Sequence, residues 1–213
     1  MTIRHHISDR LLMAYSAGQL PEAFSLVVAT HVSVCDECRA RLMSFDAVGG
    51  AVVERIDAVP MREGSLEAMM ARLDTLAPAP RPMPRRRGVL PAPLQDYVGG
   101  DLDAVKWRPV GMGVRQAILP TEKGATVRLL HIPAGQPMPD HGHRGLEMTM
   151  VLRGAFRDGA DVFGPGDVEI ADTATEHTPI AEPGEDCICL AATDAPLRFS
   201  GIVPRMAQRF LRI

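Results

Sequence analysis

The sequence predicts an α+β protein of two modules, a helical bundle followed by an antiparallel β-barrel or sandwich. Three observations carry that expectation. Residues 1–76 set apolar side chains at helical spacing around His31, Cys35 and Cys38. Residues 77–93, APAPRPMPRRRGVLPAP, are too rich in proline for a regular element and suit an extended spacer. From 94 to 213, short β-rich runs recur between Gly, Pro and Asp turns. The expected division is a helical domain over 1–76, a Pro/Arg-rich linker over 77–93 and a β-barrel domain over 94–213.

Ser8 or Asp9 suits an N-cap, with Leu11, Leu12 and Tyr15 on one face and Gly18 as a stop. Pro21 opens a second helix carrying Phe24, Val27 and Val28. A third would carry Cys35, Cys38, Leu42, Phe45 and Val48 and end at Gly49-Gly50. Ser65 caps a fourth, on which Leu66, Met69, Met70, Leu73 and Leu76 make an amphipathic stripe. That stripe either packs within its own bundle or grips a partner. In the C-terminal half the runs 125–132, 146–152, 167–170, 186–191 and 197–202 read as strands.

Composition excludes several classes. The chain has 213 residues, 46% hydrophobic and 23% charged, and its net charge of −3 gives no case for general nucleic-acid or membrane-surface binding. Residues 1–76 hold seven Arg, no Lys and ten acidic residues, the wrong sign for a phosphate-contacting domain. Arg85-Arg86-Arg87 reads as a solvated stretch of the spacer. Residues 1–10 are too polar for a secretory signal, and the most apolar run, 23–35, is too short to span a bilayer. A soluble, cytoplasmic protein is expected. Four Cys in two close pairs, Cys35/Cys38 and Cys187/Cys189, suit metal or thiol chemistry in a reducing compartment.

The first pair lies in His31-Val-Ser-Val-Cys35-Asp-Glu-Cys38, where positions i, i+4 and i+7 share one helical face. A structural zinc site is tetrahedral and closed, so the trio wants one more donor. His5 and His6 are both available. A domain this small gains much of its folding energy from such a clip.

The second constellation is His141-Gly-His143-Arg-Gly-Leu-Glu147, with His177 further on. Two His at i, i+2 point to one side of a strand, and the Arg144-Gly145 turn returns Glu147 to them. Three imidazoles and a carboxylate suit zinc or another divalent metal, without choosing among Zn, Fe, Mn and Ni. Cys187 and Cys189 also face one way on a strand, either as inert core thiols or as a redox pair. Met138, Met148 and Met150 read first as core filler.

These residues carry a family resemblance. Gly135, His141-x-His143-x3-Glu147 and Gly154 fit the first cupin motif. Gly164-Pro165-Gly166 and His177 fit the second more loosely, with a long turn-to-His spacing and no Asn after the His. The N-terminal half resembles a zinc-binding anti-sigma domain, in which an upstream His joins an H-x3-C-x2-C helix. That resemblance implicates His6, His31, Cys35 and Cys38, with His5 as rival for the first position. The order of helical zinc domain, Pro-rich linker and C-terminal cupin is similar to the ChrR family of anti-sigma factors.

What the resemblance implies is a non-enzymatic cytoplasmic inhibitor of an ECF (group IV) sigma factor. Its helices would bind sigma, and its metal-binding cupin would sense singlet oxygen or related oxidative stress. A cupin metalloenzyme, a dioxygenase or isomerase with a helical appendage, uses the same ligands if the metal keeps an open position. Arg128, Arg144 and Arg153 are too generic to name its substrate. A zinc module binding DNA directly ranks behind both.

Overall fold

The computed structural model describes residues 2–76, 88–199 and 201. Four helices open the chain: α1 (Asp9–Ser16), α2 (Glu22–Val32), α3 (Asp36–Val53) and α4 (Ser65–Thr75), and α5 (Ala92–Val98) precedes the β-rich half. Twelve strands follow: β1 (Arg108–Gly111), β2 (Val114–Leu119), β3 (Thr126–Ile132), β4 (His141–Gly142), β5 (Glu147–Arg153) and β6 (Phe156–Asp158). The remainder are β7 (Asp161–Phe163), β8 (Val168–Ala171), β9 (Glu176–His177), β10 (Ile180–Ala181), β11 (Cys187–Thr193) and β12 (Arg198–Phe199).

Ser8 is the N-cap residue of α1, and Pro21 precedes α2 with its fixed φ. Helix α3 runs through Gly49-Gly50 to Val53, beyond the stop expected there. Two glycines weaken a helix without breaking it, and no obstacle meets the chain at that point. The residue before α4 is Gly64 at φ 77, so Ser65 is the first helical residue, not the cap.

The strands pair antiparallel throughout. One sheet has the order β1-β2-β3-β11-β5-β8, and two smaller ones have the orders β10-β6-β7 and β12-β4-β9. The runs expected at 125–132, 146–152, 167–170 and 186–191 are β3, β5, β8 and β11. In the run 197–202 the described strand is β12, while 200 and 202 lie outside the described residues.

Alternation sorts the large sheet into two faces. Arg128, Leu130 and Ile132 of β3 line the barrel interior, as do Cys189 and Ala191 of β11. Val127, Leu129, Met148, Met150, Leu190 and Ala192 point the other way and join Phe24, Val27 and Val28 of α2 in one hydrophobic core. Helix α2 therefore lies across the outside of the barrel, and Met148 and Met150 are fully buried between helix and sheet.

Residues 77–87 of the expected linker lie outside the described residues. Its last part is packed: Leu90 and Leu94 are buried in the same core, and the Asp101 carboxylate accepts the Val89 and Leu90 N–H groups at 3.0 and 2.7 Å. Pro91 and Pro93 flank the start of α5, where a missing N–H costs nothing.

Candidate functional site

Two clusters of metal-type donors stand on either side of the β8 turn. In the first, His6, His31, Cys35 and Cys38 each bring a donor atom within 4.8 Å of the others. The His6 Nδ1 lies 3.4 Å from Cys35 Sγ and 3.6 Å from Cys38 Sγ. The Cys35 sulfur caps α3, accepting the Cys38 N–H at 3.4 Å. Outer contacts set the imidazole orientations. His6 turns Nε2 to Glu37 at 3.3 Å, and His31 donates from Nδ1 to the Gly166 carbonyl at 2.9 Å.

That leaves His31 Nε2 buried with no hydrogen-bond partner, facing two thiols. Burial pulls His31 down to about 4, so the ring is neutral and its Nε2 lone pair is free. Burial likewise pushes the Cys38 thiol up to about 11. An orphaned lone pair beside two sulfurs fits a closed Cys2His2 zinc site. His5, the rival, faces away: its ring packs at a tilt against Phe163 with centroids 4.3 Å apart, and its Nδ1 lies 3.5 Å from Asp167.

The second cluster is His141 on β4, His143 just after it and His177 on β9, all buried. Their Nε2 atoms converge, His143 to His177 at 3.0 Å and His177 to His141 at 3.2 Å. Nitrogens shared by one tetrahedral ion lie roughly 3.3 Å apart. On His141 and His177 the opposite nitrogens are engaged as metal-site imidazoles usually are, while His143 Nδ1 is buried without a hydrogen-bond partner. His141 donates from Nδ1 to the Pro139 carbonyl at 2.8 Å, and His177 donates from Nδ1 to Asp158 at 2.9 Å. Burial lowers His177, but hydrogen bonds to Glu169 and Asp158 outweigh it and hold the ring up at about 9. Burial pulls His143 down to about 4.

Glu147 stands beside this trio, not within it. Its carboxylate is 3.8 Å from His143 Nδ1 and accepts from the Thr149 hydroxyl at 3.2 Å. Burial pushes it up to about 7. Asp158 and Glu169, which flank His177 on its far side, were not singled out by sequence. Neither sits in a motif, and only the folded β6 and β8 bring them to the ring. An apolar cavity of about 300 Å³ adjoins the trio, with Leu130, Met138 and Phe199 among its walls.

Cys187 and Cys189 lie in the barrel core with sulfurs 3.3 Å apart. The contact with Cys187, together with burial, drives the Cys189 thiol far up. Met138 lines the cavity, whereas Met148 and Met150 are helix–sheet packing.

The third feature is an apolar surface. Leu66, Met69, Met70, Leu73 and Leu76 of the expected stripe are all more than half exposed, as are Met43, Val48, Val52 and Val53 along α3. The stripe does not pack into its own bundle. Exposed apolar area of this extent marks an interaction face. No helix among the described residues is long and apolar enough to cross a membrane.

Comparison with known proteins follows the same lines. Residues 95–196 match the family described as the ChrR cupin-like domain. Over its full length the chain is 62% identical to the anti-sigma-E factor ChrR of Cereibacter sphaeroides, covering 100% of each. Its structure is similar to ChrR in the crystal structure of Rhodobacter sphaeroides SigE in complex with that anti-sigma. There the identity is 61% and the TM-score 0.81, covering 91% of this chain and 100% of that one.

Proposed function

The chain belongs to the ChrR family of anti-sigma factors, and from that membership we propose that it binds an ECF (group IV) sigma factor and withholds it from RNA polymerase. It acts by occupying surface, not by turnover, so it is a regulator and not an enzyme. The observation that carries the reading is the exposed apolar face of α3 and α4, which lies on the zinc-type helical module and has the character of an unpartnered docking surface. Inhibition is then a competition between two interfaces for the same sigma surfaces.

In this reading residues 1–76 grip sigma, 77–93 connect, and 94–213 form the sensing module. His6, His31, Cys35 and Cys38 would hold a structural zinc, which supplies crosslinking and no open coordination position. His141, His143, Glu147 and His177 would hold zinc or another divalent ion in the cupin. Glu147, beside His143, would supply the carboxylate of that set. The signal is singlet oxygen or a related oxidant acting at the cupin metal site, and the compartment is the cytoplasm. Release requires an event that favours the free state over the bound one. Exchanging His141 or His177 for Ala tests the division of labour. Inhibition should persist while induction by singlet oxygen is blunted, and an unchanged induction profile would overturn it.

A further inference from the structure

The N-terminal segment does not run free of the barrel. In the turn before β8, the buried Asp167 carboxylate accepts the backbone N–H of Arg4 at 2.6 Å and of His5 at 2.9 Å on Oδ1. Its Oδ2 accepts the Gly164 N–H at 2.9 Å. Next to it the Val168 N–H donates to the His5 carbonyl at 3.1 Å, and the Gly166 carbonyl accepts from His31 Nδ1 at 2.9 Å. His6 and His31, the two imidazoles of the helical cluster, are therefore each held at or beside this clamp.

Residues 166–169 reach the other site as well. Val151 donates its N–H to the Asp167 carbonyl, tying the turn to β5, the strand that begins with Glu147. Glu169 follows Val168 and brings Oε1 to 3.7 Å from His177 Nδ1. Residues 166–169 thus touch imidazoles of both clusters. Charge-assisted bonds from a buried carboxylate are short and roughly twice as strong as neutral ones. The Oδ2 bond to Gly164 would suffice to shape the turn, and Oδ1 is given wholly to the N-terminal segment.

We propose that Asp167 is a positioning residue that ties the Arg4–His6 segment to β8, so that the arrangement of the barrel histidines is transmitted to the helical module through residues 166–169. Its biological use rests on the reading of the chain as a barrel-regulated sigma inhibitor, but the coupling itself is measurable without sigma. Spatial continuity alone is not coupling; non-additivity is the physical criterion.

The test is amide hydrogen exchange on the full chain with its metals, comparing wild type, Asp167→Ala, His141→Ala and the double variant. Asp167→Ala should speed exchange in peptides covering 2–12 by about tenfold or more. His141→Ala, although its lesion is inside the barrel, should speed the same peptides. The double variant should exchange no faster there than Asp167→Ala alone. A local structural anchor would give additive effects, so additivity, or unchanged 2–12 exchange in His141→Ala, overturns the proposal. Should Asp167→Ala fail to fold, Arg4→Pro removes one N–H donor to the clamp and leaves the barrel sequence intact, with the same non-additivity expected. A chain that captures no sigma factor yet shows this pattern would defeat the proposed function and keep the coupling; the reverse result would do the opposite.

Discussion

His31 Nδ1 donates to the Gly166 carbonyl at 2.9 Å, a single bond that joins the helical donor cluster to the β8 turn of the barrel. It also fixes the tautomer, leaving Nε2 as the lone pair turned to Cys35 and Cys38. The helical module is therefore built onto the barrel, with α2 sharing its core.

Replacing Cys35 and Cys38 by Ser removes both sulfur donors of the first cluster. The full chain should lose one equivalent of zinc, and sigma capture should fall by about tenfold or more, since the metal free energy of such sites is folding free energy. Metal analysis and co-purification check both. Retained tight capture by the double variant would show that the clip is dispensable.

Acid should weaken the helical module through His31. Its folded value near 4 lies below the ordinary 6.5, so in chelator the unfolded state takes the proton first as pH falls. The stability owed to neutral His31 is complete above about 6.5 and is lost as pH drops towards 4, on the order of 3 kcal/mol in full. Glu147, raised to about 7, works in the opposite sense in the barrel, so the difference between wild type and His31→Gln in urea is the proper measure. A difference independent of pH would contradict the assignment.

Asp158→Asn removes the carboxylate that accepts from His177 Nδ1. The His177 ring should fall from about 9 towards its ordinary value, and divalent metal affinity of the barrel should drop by about 10- to 100-fold. Competition against a chromogenic chelator reads the affinity. Sigma capture should stay as in wild type.

Leu73→Asp and Met69→Asp place charge on the exposed face of α4 without entering a core. Thermal stability should move little, while sigma affinity falls on the order of tenfold or more, as expected for apolar anchors at an interface centre. Unchanged affinity would move the docking face elsewhere.

Cys187 and Cys189, both buried and the Cys189 thiol pushed far up, should react with iodoacetamide at least about 100-fold more slowly than an exposed cysteine in the native chain. Fast labelling without unfolding would show that the barrel core opens.

Much of this was legible in the sequence because it lies in local spacing. The His31–Cys38 run does not lie on one helix as its i, i+4, i+7 spacing suggested, because it crosses the turn from α2 to α3 with Cys35 as the extended N-cap. Its members still meet because they are close in sequence, as are those of the His-x-His pair at 141. His5 and His6 could not be separated that way. The choice depends on Asp167, far along the chain, taking His5 to the barrel. Asp158 and Glu169 were invisible for the same reason. Helix α5 was hidden by Pro91 and Pro93, which read as spacer although they stand where a helix start tolerates them. The shared core had one local sign, the run Glu147-Met-Thr-Met-Val-Leu: Met148 and Met150 make the second face of β5 apolar, as in a sheet covered on both sides.

The most direct test of the central claim is co-purification of the tagged full chain with the ECF sigma factors of its host, with metal counted on the complex. The account predicts a one-to-one complex carrying zinc on the helical cluster and blocking transcription by the sigma-loaded polymerase. A correctly folded, metal-loaded chain that retains none of those sigma factors would contradict it.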